Sequence, residues 1–360
     1  MLESLQFEAL RRLGLNQNLL PLLHPLLGQH PKADPVRITE IHRDALRLEG
    51  SQGPLRARVH PQLLNALQAQ GQRLAVGDWV LAEAEGDQHW VREHIPPLNS
   101  LNRRDPEGRL QPLVSNVDCA LLVLGLDHDF NLARLDRYLV LTRSADVPAV
   151  VVLSKADLCA QPAERLKAVR RHLAHSHLGL LDVLAVDTTS AASCEALSPY
   201  LGLGQTLVLL GSSGAGKSTL TNSLCGHSEQ LTGAVRMDDS RGRHTTTSRS
   251  LHRCQSGACI IDTPGLRGLA LDADAATVAQ AFDDVQELAQ ACRFRNCSHG
   301  DEPGCAVRES LGAERLKSYE KLQREARRGE MTALERREQL ARWKSVIKSV
   351  QLKQRLRGRD

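Results

Sequence analysis

The chain has 360 residues, 41% of them hydrophobic, which is more than one usual core and predicts two or three packed domains. The net charge of +4 is mild, but residues 341–360 hold seven Lys/Arg against the single acid Asp360, a local excess that favours an anionic partner. Nine cysteines without a leader-like segment exclude a disulfide-framework protein, and no run approaches the roughly 18 apolar residues of a membrane helix, so a reducing, cytoplasmic setting without membrane association is expected.

Residues 1–35 read as an N-terminal extension, an amphipathic helix followed by a linker broken by Pro21 and Pro25, with no chemistry assigned. Over residues 36–105, the short alternating pieces "VRITEI", "LRARV", "VGDWVLAE" and "HWVREHI" lie between Gly and polar turns, which predicts a small β-barrel. "PQLLNALQAQGQRL" interrupts them with helical spacing. Residues 106–269 change rhythm: apolar strands such as "VDCALLVLGL", "PAVVVLS" and "TLVLLG" alternate with amphipathic helices, which predicts an α/β unit around a largely parallel sheet. Residues 270–360 lose the strand signal and carry a helix around "TVAQAFDDVQELAQA", a Cys/His cluster and a charged helical tail from about Ala313.

"GSSGAGKS", Gly211-Ser212-Ser213-Gly214-Ala215-Gly216-Lys217-Ser218, satisfies G-x-x-x-x-G-K-[ST] directly after an apolar β-run and directly before a helical run that opens with Thr219. The glycines let backbone N–H groups turn onto phosphates at a helix N-terminus, Lys217 adds a point charge, and the Ser218 hydroxyl is suited to magnesium. In "IIDTPG", Asp262 ends a β-run where it can hold magnesium through water, and the Gly265 amide can meet a γ-phosphate. Between these motifs, "RGRHTTTS" offers Thr246 or Thr247 as a further magnesium ligand.

Ser154-Lys155-Ala156-Asp157 departs from Asn-Lys-x-Asp at its first position only. The Asp157 carboxylate can accept from both N1–H and the 2-amino group of guanine, and a buried carboxylate left unpaired would reject adenine by ~10⁴-fold. Lys155 would lay its stem along the base, while Ser154 cannot reach as asparagine does, which predicts reduced base affinity. This motif precedes the phosphate loop, the reverse of the ordinary GTPase order. The pieces form one site if such a chain is cut after its magnesium-binding part and rejoined through its old termini.

In this order of base motif, phosphate loop, threonine segment and D-T-P-G, the chain resembles the RsgA (YjeQ) family of circularly permuted ribosome-assembly GTPases. The resemblance implies a permuted P-loop GTPase domain flanked by an N-terminal OB-like β-barrel and a C-terminal zinc-binding helical domain. Cys292, Cys297, His299 and Cys305 offer three thiolates and one imidazole, a full tetrahedral set at the spacing the family carries. Four protein ligands leave no open position, so a structural Zn²⁺ is expected besides Mg²⁺ with GTP. The other six cysteines read as small buried hydrophobes. At "AVDTTSAAS", Asp187-Thr188 stands where the family places a Ser-Ala-containing loop on the base.

Leu266 follows Gly265 where many GTPases carry a water-orienting glutamine, and an apolar side chain cannot orient water. His244 is the nearest candidate, and the resemblance points to the same histidine as the catalytic residue. Unaided hydrolysis is expected to be slow and to need a partner that orders its segment. The resemblance implies that this partner is the small ribosomal subunit with its rRNA, bound by a monomer in a GTP-dependent way during late assembly. The alternatives are a nucleotide-gated RNA-binding module with incidental hydrolysis, and a P-loop ATPase, against which the base motif argues.

Overall fold

The computed structural model describes residues 4–105, 109–174, 181–226, 249–263, 272–331 and 335. The N-terminal extension folds as two helices, α1 (Ser4–Arg11) and α2 (Leu20–Gln29), rather than as a helix and a broken linker. Pro21 stands in the first turn of α2, where a proline costs little, and Pro25 follows one turn later. Burial offsets that second defect: Leu19 and Leu23 join Leu10, Leu13 and Leu15 in a cluster against Trp79, Leu81 and Ile95.

Those three residues belong to a barrel of five strands, β1 (Asp34–Ile41), β2 (Leu46–Gly50), β3 (Gly53–Val59), β4 (Trp79–Glu85) and β5 (Gln88–Ile95), with α3 (Pro61–Ala69) between β3 and β4. The order is β1-β2-β3-β5-β4 and β4 pairs back onto β1, which closes the ring. Closure removes the sheet edges, and the arrangement is OB-like. Val36, Ile38, Leu48, Val80 and Val91 point inward onto Leu63 and Leu67 of α3, while Trp79 and Leu81 point outward beneath α1 and α2. The strand β2 is absent from the sequence-level reading because it is short and lies between polar turns.

A hairpin of β6 (Ser100–Arg104) and β7 (Leu110–Ser115) leads into the α/β unit. Its elements are β8 (Cys119–Gly125), α4 (Leu132–Ser144), β9 (Ala149–Ser154), α5 (Pro162–Ala174), β10 (Val183–Ala185), α6 (Ala191–Cys194), β11 (Thr206–Gly211), α7 (Lys217–Cys225), β12 (Ser250–Arg253) and β13 (Cys259–Asp262). The strands β10-β9-β8-β11-β13 are parallel neighbours, and β12 runs antiparallel beside β13. The strand β8 is apolar throughout because both its faces are covered. Ala120, Leu122 and Leu124 face the core of α4 and α5, and Leu121 and Val123 face that of α7.

The C-terminal region adds α8 (Ala275–Gln280), α9 (Asp283–Gln290), α10 (Ala306–Ser310) and α11 (Ala313–Glu330). The helix predicted over "TVAQAFDDVQELAQA" is divided between α8 and α9 at Ala281 and Phe282, and both residues are buried. On α11, Arg315 reaches Asp136 of α4 and Asp284 of α9, and Arg137 of α4 forms a two-pronged pair with Glu325 at 2.6 and 2.7 Å. Among the described residues, no helix is long and apolar enough to cross a membrane.

Arg37 joins the N-terminal helices, the barrel and the α/β sheet. It is fully buried on the outer face of β1, where its Nε donates to the Gly77 carbonyl at 3.1 Å and its Nη2 to the Asn116 carbonyl at 2.9 Å. Its Nη1 donates to the Leu13 carbonyl and, at 2.8 Å, to the Thr206 hydroxyl at the start of β11. The guanidinium lies 5.7 Å from the Trp79 ring centre. Burial lowers the Arg37 pKa, with Asp118 and Asp78 among the charges that oppose the shift. Gly14 makes the approach possible: at φ +94°, a Cβ there would lie 2.2 Å from Nη1. Replacing Arg37 by leucine strands these acceptors in the interior and should cost about 3 kcal/mol or more. Urea unfolding followed by tryptophan fluorescence checks this, and a loss under about 1 kcal/mol would contradict it.

Candidate functional site

Parallel strands carry their C-terminal ends to one edge of the sheet, the usual place for a ligand in an open α/β fold. Here β8, β9, β11 and β13 end at Gly125, Ser154, Gly211 and Asp262. The loop after β11 turns at Gly216, φ +86°, into α7, so the helix N-terminus opens onto the loop. Lys217 is buried and its Nζ donates to the carbonyls of Gly211 at 3.1 Å and Ser212 at 2.9 Å. Burial lowers its pKa, and Asp262 opposes the shift. Gly214, Ser218 and Thr219 are exposed, Ser213 is half-buried and Ala215 is buried.

The Ser218 hydroxyl donates to Asp262 Oδ2 at 3.0 Å, which joins the helix start to the end of β13. Asp262 Oδ1 is buried without a hydrogen-bond partner among the described residues. A hydroxyl beside a carboxylate with an unused buried oxygen suits a hard, oxygen-seeking divalent cation. Burial raises the Asp262 pKa, against the opposing effects of Ser218 and Lys217.

The base motif leaves β9 beside this loop. Ser154 is buried, and its hydroxyl donates to the Ala215 carbonyl at 2.6 Å and to the Leu124 carbonyl at 3.3 Å. The short side chain therefore does reach the phosphate loop, because the loop passes close by at Gly216, whose missing Cβ would stand 3.6 Å from Ser154. Lys155 adopts φ +58°, a left-handed conformation rare outside glycine and asparagine, and begins a 3₁₀ turn of Ala156–Leu158. Asp157 lies in this turn and is exposed, not buried, and its carboxylate makes no hydrogen bond to a described residue. Any rejection of adenine there depends on the base itself displacing water.

His244, Thr246, Thr247, Gly265 and Leu266 lie outside the described residues. Thr188 is buried near the phosphate loop, and its carbonyl accepts from Ser223 of α7 at 2.5 Å. Asp187 is held by the Thr189 hydroxyl and amide at 2.7 and 2.8 Å, which lower its pKa.

Sequence reasoning missed Asp127 and Asp129, which follow β8. Asp127 pairs with Lys155 Nζ at 2.5 Å, and Asp129 accepts from the Ser212 hydroxyl. The available signal was two acids immediately after an apolar strand that carries no recognised motif.

A second cluster lies in the C-terminal region. Donor atoms of Cys292, Cys297, His299 and Cys305 fall within 4.8 Å of one another, so these four residues could hold a metal ion. The amide of Val307, opening α10, lowers the Cys292 pKa against a smaller desolvation effect, which favours the thiolate a metal requires. Of the other six cysteines, Cys119, Cys194, Cys225, Cys254 and Cys259 are buried and Cys159 is half-buried.

Comparison with known proteins agrees with this geometry. The model of the RsgA GTPase family matches residues 95–272. A Vibrio parahaemolyticus protein named small ribosomal subunit biogenesis GTPase RsgA 2 is 40% identical over 329 residues, covering 89% of this chain and 87% of its own. The crystal structure of YjeQ from Thermotoga maritima has a TM-score of 0.56 at 23% identity, over 82% of this chain and 98% of that one. The structure of YloQ, described as a circularly permuted GTPase, has a TM-score of 0.54 at 23% identity, over 83% and 97%.

The raised pKa of Asp262 sets opposite signs for stability and binding. The folded chain holds this proton more tightly than the unfolded chain, so stability falls as pH rises from the ordinary carboxylate range through the raised value. Asp262→Asn should therefore stabilise the ligand-free protein at neutral pH and weaken magnesium-dependent nucleotide binding by roughly tenfold or more. Thermal melts and nucleotide titrations with and without magnesium check both signs, and a variant that binds like wild type contradicts the assignment.

Proposed function

The chain belongs to the RsgA GTPase family, and from that membership we propose that it hydrolyses GTP during maturation of the small ribosomal subunit. The observation that carries this reading is the 2.6 Å bond from Ser154 to Ala215, which joins a guanine-type motif to a phosphate loop in one site. Asp157 reads the guanine edge, and Lys155 lies along the base. The backbone from Gly211 to Thr219 cradles the phosphates, and Lys217 exchanges its carbonyl partners for phosphate oxygens. Ser218, Asp262 through water, and Thr246 or Thr247 would hold magnesium, which when bound would neutralise charge developing on the β- and γ-phosphates. The Gly265 amide meets the γ-phosphate, and His244 orients the attacking water in place of the glutamine that Leu266 lacks.

A metal held by the Cys/His cluster would be a structural zinc. Zn–S bonds of about 2.3 Å and a Zn–N bond of about 2.0 Å place tetrahedral sulfurs ~3.8 Å apart and sulfur and nitrogen ~3.5 Å apart. Cys292 and Cys305 Sγ are 4.0 Å apart, and they lie 3.8 and 3.6 Å from His299 Nδ1. One zinc per chain, with residues 270–360 as a zinc and tail domain and residues 36–105 as an RNA-facing barrel, fits a monomeric cytoplasmic factor that binds rRNA.

Turnover with and without purified small ribosomal subunits tests this function. Subunits should accelerate hydrolysis by at least about tenfold, and His244→Ala should lose that gain while GTP binding stays within about twofold. Stimulation that survives in His244→Ala would make the histidine a bystander, and a wild type never stimulated would favour a nucleotide-gated binder over an enzyme.

A further inference from the structure

The turn that follows β8 touches both halves of the nucleotide site, although it belongs to neither motif. Asp127 Oδ2 lies 2.5 Å from Lys155 Nζ, and Asp127 Oδ1 accepts the Asp129 amide at 2.9 Å, which fixes the turn. Asp129 accepts from the Ser212 hydroxyl and is gripped by both terminal nitrogens of Arg134 at 2.5 and 2.9 Å. Arg134 itself is set by Asn131, whose side chain caps α4 through the Arg134 amide at 3.0 Å. The turn is tied to the base motif once more, because the Leu126 amide donates to the Ser154 carbonyl at 3.0 Å.

Resting on the GTPase reading above, we infer that Asp127 and Asp129 are positioning residues for the nucleotide. Asp127 holds Lys155 in its left-handed conformation with the stem ready for the base. Asp129 holds Ser212, the second residue of the phosphate loop, and so sets where the loop leaves β11. Ordinary surface ion pairs contribute little because water competes for both partners. Here Ser212 is buried, the Arg134 contact is two-pronged, and each acid holds a residue of a recognition motif. Burial alone would raise the Asp127 pKa, but the Lys155 bond and the Asp129 amide outweigh it and lower the net value. Arg134 chiefly lowers that of Asp129, so both acids are ionised at neutral pH.

The two acids should fail differently, which separates positioning from a general structural role. Full-length Asp127→Asn, Asp129→Asn, Ser212→Ala and Ser212→Thr are compared in titrations with GTP and with magnesium pyrophosphate, a probe of the phosphate loop alone. Asp127→Asn should weaken GTP roughly five- to tenfold and leave pyrophosphate within about twofold. Asp129→Asn and Ser212→Ala should each weaken both ligands, and their double variant should be no weaker than the worse single. Ser212→Thr, which keeps the hydroxyl, should restore binding. The inference is overturned by GTP affinities within about twofold of wild type, by additive losses in the double variant, or by equal losses of both ligands in Asp127→Asn. A wild type without preference for GTP over ATP would overturn the GTPase reading itself, and this inference with it.

Discussion

The nucleotide site depends on four parallel strands that end side by side. In the order β9-β8-β11-β13, their C-terminal ends deliver Ser154, Gly125, Gly211 and Asp262 to one edge of the sheet. Spatial neighbours need not be sequence neighbours, so the base motif can precede the phosphate loop in the chain without disturbing the site. The strand β8 lies between β9 and β11, and its outgoing turn therefore falls between the base motif and the phosphate loop. Asp127 and Asp129 contact Lys155 and Ser212 from that position. Ser154 and Ser218 complete the links, from β9 to the loop and from the loop to β13.

Around this edge the remaining units are fastened by a few buried polar groups. Arg37 binds the N-terminal helices, the barrel and the root of β11 at once, and the strand pairing of β1 with β12 at Glu40 and Ser250 joins barrel to sheet. In sequence, the strand β12 directly follows the segment that carries His244 and the threonines. Arg315 and Arg137 dock the C-terminal helices onto α4, whose first turn carries Arg134.

Local features were legible in the sequence, and long-range ones were not. The phosphate loop, the base motif, the apolar parallel strands and the Cys/His cluster each occupy a short window with fixed spacing, so residue chemistry alone identifies them. The second N-terminal helix escaped because Pro21 and Pro25 argue against α2, whereas the deciding contribution is burial of Leu19 and Leu23 against Trp79 from another element. Arg37 read as an ordinary polar position on an alternating strand, since its partners lie 24 to 169 residues away. The contact of Ser154 with the phosphate loop is likewise not visible in the sequence. It depends on how closely two loops from different strands approach, and Gly216, without a side chain, lies beside Ser154.

The role proposed for Asp157 is to read guanine in the same site where the loop after β11 holds phosphate. Replacing Asp157 with asparagine turns an acceptor toward the 2-amino position into a possible donor, which matches the C2 oxygen of xanthine. Competition between GTP and xanthosine triphosphate on the wild type and on Asp157→Asn measures that role. That role predicts that the wild type prefers GTP and that the variant reverses this preference by roughly tenfold or more. A preference unchanged by Asp157→Asn would contradict it.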